Sequence, residues 1–385
     1  MSIYLDNAAT SFPKPESVYQ AVDRAMRQVG ASPGRGGHRR SLEAARIMFQ
    51  TREAIARLFS IPDSSRIIFT HNATGALNLA LHGTLLPGDH VITTSMEHNS
   101  LIRPLHALRK IGVDVTVVQA GGDGLVDPDS IRRELKRNTR MVAVGHVSNV
   151  CGAVQPIDRI AAICHEAGAI FLIDAAQSAG SINIDVLSTG VDMLAAPGHK
   201  GLLGPPGTGF LYVADQISLR PILEGGTGTD STSEEQPLTM PDGFEAGTHN
   251  LPGIAGLKAG IDFILERGID TIFQHERNLL DEAISRLSSI PGLTFYGPAD
   301  KGQRAPVLSF TIKGIDASLL ATELDQSFDI AVRAGLHCAP QAHRTLGTFP
   351  DGTLRLSPGW SSTREEIAFF SDAVVQCVSS LRETA

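Results

Sequence analysis

Lys200 stands in the run Ala195-Ala196-Pro197-Gly198-His199-Lys200-Gly201, between glycines and just after a short apolar stretch. So tight a loop is a poor place for a solvated surface lysine. Neighbours that lower its ammonium pKa would make it an imine former. Asp174 ends the apolar run 169–174 and precedes Ala175-Ala176-Gln177. A carboxylate at the carboxyl end of a buried parallel strand faces the crevice where α/β folds bind ligands. It fits equally as the N-cap of a following helix. Together, a loop lysine downstream of a strand-end aspartate suits pyridoxal phosphate. That cofactor needs an imine-forming lysine and an acid at its pyridine nitrogen.

Other segments could serve such chemistry. Thr70-His71-Asn72-Ala73-Thr74-Gly75 joins a strand to a helix. Its helix N-terminal amides and the Thr74 hydroxyl could hold a phosphate, or simply cap a helix. Met96-Glu97-His98-Asn99 follows the run 90–94. There His98 could stack on a flat ring or serve as a structural imidazole. Arg355, in the β-like Thr353-Leu354-Arg355-Leu356-Ser357, needs an anion. A substrate carboxylate is one answer and an internal salt bridge the other. Cys338 sits in Arg333-Ala334-Gly335-Leu336-His337-Cys338-Ala339. Cationic neighbours raise the thiolate fraction of a cysteine, so Arg333 and His337 make Cys338 the best nucleophile of the four cysteines. Cys164 and Cys377 fall in helical patterns and read as packing residues. Cys151 follows Asn149 in a loop and fits either reading.

These residues need a scaffold, and the patterning supplies one. Apolar runs at 66–70, 90–94, 114–118, 140–146, 169–174 and 209–213 alternate with helical patterns at 74–82, 100–110, 128–136 and 157–167. Such alternation predicts a mainly parallel sheet covered on both faces. Residues 225–248 are rich in Gly, Thr, Ser and Pro and predict a long, functional or disordered loop. Helical patterns at 256–267 and 271–290 and strands near 307–312 and 331–333 mark a second α/β portion. The boundary is expected near 253–256.

Composition narrows the class. The 385 residues carry 33 Lys plus Arg against 41 Asp plus Glu, a formal charge of −8 without a basic run. Nucleic acid is therefore not expected as a partner. No apolar run approaches the ~18 residues of a membrane span, and Asp6 interrupts the place of a signal peptide. Without CxxC pairs, the cysteines read as reduced thiols of a cytoplasmic protein, and no metal site is expected.

Nearly the whole chain resembles the cysteine desulfurases and selenocysteine lyases, type I fold pyridoxal phosphate enzymes of the class V aminotransferase group. The resemblance rests on Leu5-Asp6-Asn7-Ala8-Ala9-Thr10, Met96-Glu97-His98-Asn99, His146-Val147-Ser148-Asn149, Asp174-Ala175-Ala176-Gln177, Gly198-His199-Lys200, Phe244-Glu245-Ala246-Gly247-Thr248 and the Cys338 segment, in that order. The last is similar to the group II, SUF-like branch. The resemblance implies a large domain at 15–254 with a mainly parallel seven-stranded sheet. It also implies a small C-terminal α/β domain at 255–385 and an N-terminal arm at 1–14 packing with the small domain.

By matching position, Lys200 would join the cofactor, Asp174 its pyridine nitrogen, Gln177 its ring hydroxyl, and His98 would stack on the ring. Ala73, Thr74 and His199 would hold the phosphate, helped by Thr248 from the other subunit of a homodimer. Asn149 and Arg355 would bind the carboxylate of L-cysteine, or of L-selenocysteine, and Cys338 would take the sulfur for an acceptor protein in sulfur trafficking or iron–sulfur cluster assembly. Where the family often has a serine before Gly-His-Lys, this chain has Pro197, so one phosphate hydrogen bond is missing. Selenocysteine lyases, aminotransferases and epimerases of this fold would not need Cys338. A non-catalytic sulfur carrier or scaffold would not need Lys200, Asp174 and Arg355 intact.

Overall fold

Strands buried on both faces must be apolar along their whole length, and the central strands here are. Every residue of Ile170–Asp174, Met193–Pro197 and Gly209–Val213 is buried. The computed structural model describes residues 2–34, 36–228 and 232–383. Its large sheet has seven strands in the order Ile67–Thr70, Gly209–Val213, Met193–Pro197, Ile170–Asp174, Thr139–Gly145, His90–Thr94, Asp114–Val118. Gly209–Val213 alone runs antiparallel to its neighbours. The expected strands 90–94, 114–118 and 209–213 keep those bounds, and 66–70, 140–146 and 169–174 shift by one residue. Met193–Pro197 is a further strand. Its Met-Leu-Ala-Ala-Pro sequence lacks the β-branched residues that mark strands.

The two sheet edges are handled differently. Asp114–Val118 is only partly buried. Ile67–Thr70 is mostly buried, and side chains meet its free backbone groups. Arg52 Nε donates to the Ile67 carbonyl at 3.1 Å, and the Phe69 amide donates to Glu245 Oε1 at 2.6 Å. A covered edge of this kind offers no template for pairing with another chain.

The second portion has its own four-stranded antiparallel sheet, ordered Arg333–Gly335, Thr353–Leu356, Leu308–Ile312, Leu293–Tyr296. Its core includes Leu279, Leu280, Phe310, Leu356, Phe370 and Val374, and also Ile3 and Leu5 from the chain start. The strand Ile3–Tyr4 pairs in parallel with Ile330–Ala331. The division expected at 254/255 falls inside the helix Leu251–Arg267. The buried face of that helix, with Ile254, Leu257, Ile261 and Ile264, packs into the core of the large sheet. The change of core comes after Gly268, in the helix Ile269–Leu287. Periodicity locates an amphipathic helix but does not say which core receives its apolar face.

Among the described residues of 225–248, the regular structure is one short turn of helix at Asp242–Phe244. No helix among the described residues is long and apolar enough to cross a membrane.

Candidate active site

The carboxyl ends of the parallel strands open on one cavity, as the topology of such sheets requires. Its walls include Ala73, Thr74, Glu97, His98, Asn149, Asp174, Gln177, His199 and Lys200. Four strand ends and one helix start thus bring together residues spread over more than a hundred positions.

Lys200 follows the strand Met193–Pro197 and is buried. Burial pushes its ammonium down to about 8. Arg355 and Arg333 push the same way, and Asp174 opposes them. Among the described residues Nζ forms no hydrogen bond or ion pair. Asp174 is the last residue of its strand. Its Oδ1 accepts from the Ala176 amide at 2.9 Å, and Oδ2 has no partner among the described residues. Burial raises its carboxyl, although Lys200 opposes this. No helix follows Asp174, so the capping alternative falls away. A buried acid with one oxygen unmet, facing a cavity, suits a cationic N–H.

His98 is the N-cap of the helix Asn99–Lys110. The Ser100 amide donates to His98 Nδ1 at 3.0 Å. Burial and surrounding cations hold the ring neutral, with its pKa down at about 4. An acceptor Nδ1 on a neutral ring leaves the proton on Nε2. Beside it, Glu97 accepts from Thr94 Oγ1 at 2.5 Å and from the Gly145 amide at 2.7 Å. Burial pushes Glu97 up to about 8, so at pH 7 it is mostly a neutral acid. Sequence reasoning assigned it no role, although it stands next to His98.

The helix Ala73–Thr84 points its N-terminus at the cavity. Asn72 caps it through Gly75, at 2.8 Å, which leaves the Ala73 and Thr74 amides without a partner among the described residues. Free amides at the positive end of a helix dipole attract anions. Gly209 makes this placement possible: a Cβ there would lie 2.7 Å from the Asn72 carbonyl carbon. His199 is held neutral by burial, and its carbonyl accepts from Lys14 Nζ at 2.8 Å. Pro197 lines the wall where a serine hydroxyl could have pointed. Gln177 donates from Nε2 to the Ala8 carbonyl at 2.9 Å.

Thr248 does not line this cavity. It lines an adjacent one with His71, Asn72 and Gly75, and the two meet at the same helix start. Its segment is anchored by Glu245, which Arg52 Nη2 grips at 2.6 and 2.5 Å. The pair is almost fully buried, and the guanidinium lies 4.5 Å from the Phe69 ring centroid. Breaking a buried pair strands a charge. Arg52→Met is therefore expected to lower unfolding free energy by about 3–5 kcal/mol in urea titration at pH 7. Adding Glu245→Leu should recover much of that loss.

Cys338 is the exposed cysteine of the four, and the other three are buried. Cys151 is buried in a small apolar cluster with Met96 and Ala153, and burial raises its thiol. Asn149 Nδ2 donates to the His337 carbonyl at 2.7 Å, and the Asn99 amide donates to the Cys338 carbonyl at 2.8 Å. The cysteine loop is thus tied to the residue after His98 and to a wall of the cavity. Arg333 Nη2 lies 3.9 Å from Cys338 Sγ. His337 is not the cationic neighbour expected for Cys338. It is buried and pushed far below the usual imidazole range, so its ring is neutral. Arg355 lies behind the wall, 1% exposed, with Nη2 on Asp6 Oδ1 at 2.6 Å and Nη1 on the Asn149 carbonyl at 3.0 Å. The internal salt bridge is therefore present, and Asp6 is a partner that sequence reasoning did not assign.

The sequence pattern of the family described as "Aminotransferase class-V" matches residues 3–370. A protein named "Probable cysteine desulfurase" from Methanothermobacter thermautotrophicus is 39% identical over 378 residues, covering 97% of this chain and 94% of its own. The apo structure of a cysteine desulfurase from Thermococcus onnurineus NA1 superposes with a TM-score of 0.93 at 33% identity, covering 98% of this chain and 95% of that one. A cysteine desulfurase from Escherichia coli superposes at 0.89 with 28% identity, over 98% and 95%.

Proposed function

The chain belongs to the class-V aminotransferase family, and from that premise we propose that it is a cysteine desulfurase that moves the sulfur of L-cysteine onto Cys338 and releases L-alanine. One observation carries this reading. Among the described residues, a buried, unpartnered lysine amine faces a buried, half-satisfied aspartate across a cavity, and the loop carrying an exposed cysteine is hydrogen-bonded, through the His337 carbonyl, to Asn149 of its wall.

The family depends on pyridoxal phosphate, which when bound supplies an electron sink for charge developing at the substrate carbons. The residues present fit that group. Asp174 would hold a proton on the pyridine nitrogen. His98 would lie on the ring, its Nε2–H directed by the Ser100 contact, and Gln177 would face the ring oxygen. The Ala73 and Thr74 amides, the Thr74 hydroxyl and His199 would take the phosphate. The hydroxyl that Pro197 lacks is replaced by amides at a helix terminus, whose bonds to an anion are charge-assisted. Thr248 would contribute to the site of a second copy in a homodimer, which suits its place outside the cavity of its own chain.

Lys200 would take the Cα proton as general base once its amine is neutral. Asn149 and Arg355 would hold the substrate carboxylate. The Cys338 sulfur attacks the substrate sulfur as the Cβ–S bond breaks. An S–S bond forms, the electron pair of the broken bond stays with carbon, and Cβ gains a proton. Arg333 faces the sulfur that carries negative charge in this step. The persulfide would pass to an acceptor protein. Four free cysteines suit a cytoplasmic location.

Intact-protein and peptide mass spectrometry after exposure to L-cysteine tests the reading. One extra sulfur atom on Cys338, removed by dithiothreitol, is the expected result. A protein that forms alanine while Cys338 stays unmodified would refute the persulfide step.

A further inference from the structure

Arg355 has an unmet donor. Its Nε is buried with no hydrogen-bond partner among the described residues, while Nη1 and Nη2 are both engaged. Leaving a buried donor unmet costs on the order of 1–3 kcal/mol, so folded chains rarely do so without a reason. The register of the small sheet also sets Arg333 directly across from Arg355. Like charges so placed repel. Asp6 is the carboxylate that holds Arg355 against this repulsion.

Asp6 is itself fixed. It bridges to Ser357, and the flanking backbone is locked by Leu5 N to the Ala331 carbonyl, Ser357 N to the Leu5 carbonyl and Ala8 N to Ser357 Oγ, all at 2.8–2.9 Å. A carboxylate on so rigid a segment cannot follow a wandering guanidinium. It defines where the guanidinium stands. The Asn149 carbonyl fixes the other end of the fork, and Asn149 is part of the cavity wall.

We propose that Asp6 is a positioning residue for substrate binding: it pins Nη2 of Arg355 and so fixes the guanidinium against Asn149 of the cavity wall, where the two residues hold the carboxylate of the incoming amino acid. This rests on the reading of Arg355 as the carboxylate clamp. Asp6 touches no substrate atom; it acts through Arg355 and sets preference for α-amino acids over simple amines.

The test uses the holoenzyme and two unreactive competitive inhibitors, L-2-aminobutyrate and propylamine, which differ only in the carboxylate. In Asp6→Asn, Ki for L-2-aminobutyrate and KM for L-cysteine should each rise about tenfold, the scale of one weakened charge-assisted bond. Ki for propylamine and kcat should stay within about twofold. Should Asp6→Asn not fold, Asp6→Glu, which keeps the charge but moves it one methylene, should show the same split at smaller amplitude. Unchanged constants, a parallel rise for both inhibitors, or tighter binding of L-2-aminobutyrate would each overturn the assignment. Arg355→Gln separates the two readings. If it abolishes the discrimination while Asp6→Asn does not, Asp6 alone is misassigned. If Arg355→Gln also leaves discrimination intact, the clamp itself is wrong.

Discussion

Lys200→Ala should lower the rate of alanine formation from L-cysteine by roughly 10²–10⁴-fold, the range lost when a positioned proton-transfer group is removed. The expectation follows from where the amine sits. Lys200 is buried and lacks a hydrogen-bond partner among the described residues, so nothing else in the wall can take over a proton at its Nζ position. Asp174 is the nearest alternative base by charge, but the Ala176 amide already occupies one of its oxygens, and in the proposed reading the other would hold the ring nitrogen. Neutral His98 donates from Nε2 and keeps Nδ1 on Ser100. Turnover by the variant within tenfold of the parent would remove Lys200 from the chemistry.

The same environment predicts a pH signature that needs no turnover. Burial, Arg355 and Arg333 disfavour the charged form and bring the Lys200 ammonium from 10.5 to about 8. In the cofactor-free protein, acetylation of Lys200 by acetic anhydride, followed by peptide mass spectrometry, should therefore reach half its limiting rate near pH 8. Ordinary surface lysines should do so near their reference value, about 10.4. Only the neutral amine reacts, so the rate rises with pH. Arg333→Gln, by removing one of the cations, should move the Lys200 midpoint upward. A Lys200 midpoint equal to that of the surface lysines would show that burial does not activate it.

The residues legible in the sequence share a local signature. Lys200 is flanked by glycines after an apolar run, and Asp174 ends one. Both positions follow from strand geometry alone, and the structure sets them in one cavity. The sheet was legible for the same reason, because a strand buried on both faces must be apolar throughout. What escaped depends on tertiary partners. Asp6 and Arg355 are 349 positions apart. Asp6 was visible as part of Leu5-Asp6-Asn7-Ala8-Ala9-Thr10, but nothing local says which cation it meets. His337 reads as a cation beside Cys338 until burial makes it neutral. Arg52 lies in an amphipathic helix among other charges, and only the closure of Glu245 over the sheet edge singles it out. Burial and pairing decide charge state, and neither is a property of a short window of sequence.

Cys338→Ala should reduce sulfur release from L-cysteine by at least roughly 10³-fold, as removal of an essential nucleophile does, while leaving L-cysteine binding within about threefold. Geometry argues for both halves. His337 and Cys338 are consecutive non-glycine residues with positive φ, +47° and +59°. Each such residue costs on the order of 1–3 kcal/mol and persists only where surrounding contacts enforce it. Here the contacts are Asn149 Nδ2 on the His337 carbonyl and the Asn99 amide on the Cys338 carbonyl. Both hold backbone oxygens, so alanine at 338 keeps the loop and loses only the sulfur. Asn149 and Arg355, the carboxylate ligands proposed above, are untouched. The outcome separates reactions that share this fold: a desulfurase that stores sulfur on Cys338 stops, whereas a transaminating or eliminating enzyme continues. Alanine and sulfide assayed together, with dithiothreitol present, distinguish them, and full turnover by the variant would mean that the strained loop serves something other than sulfur transfer.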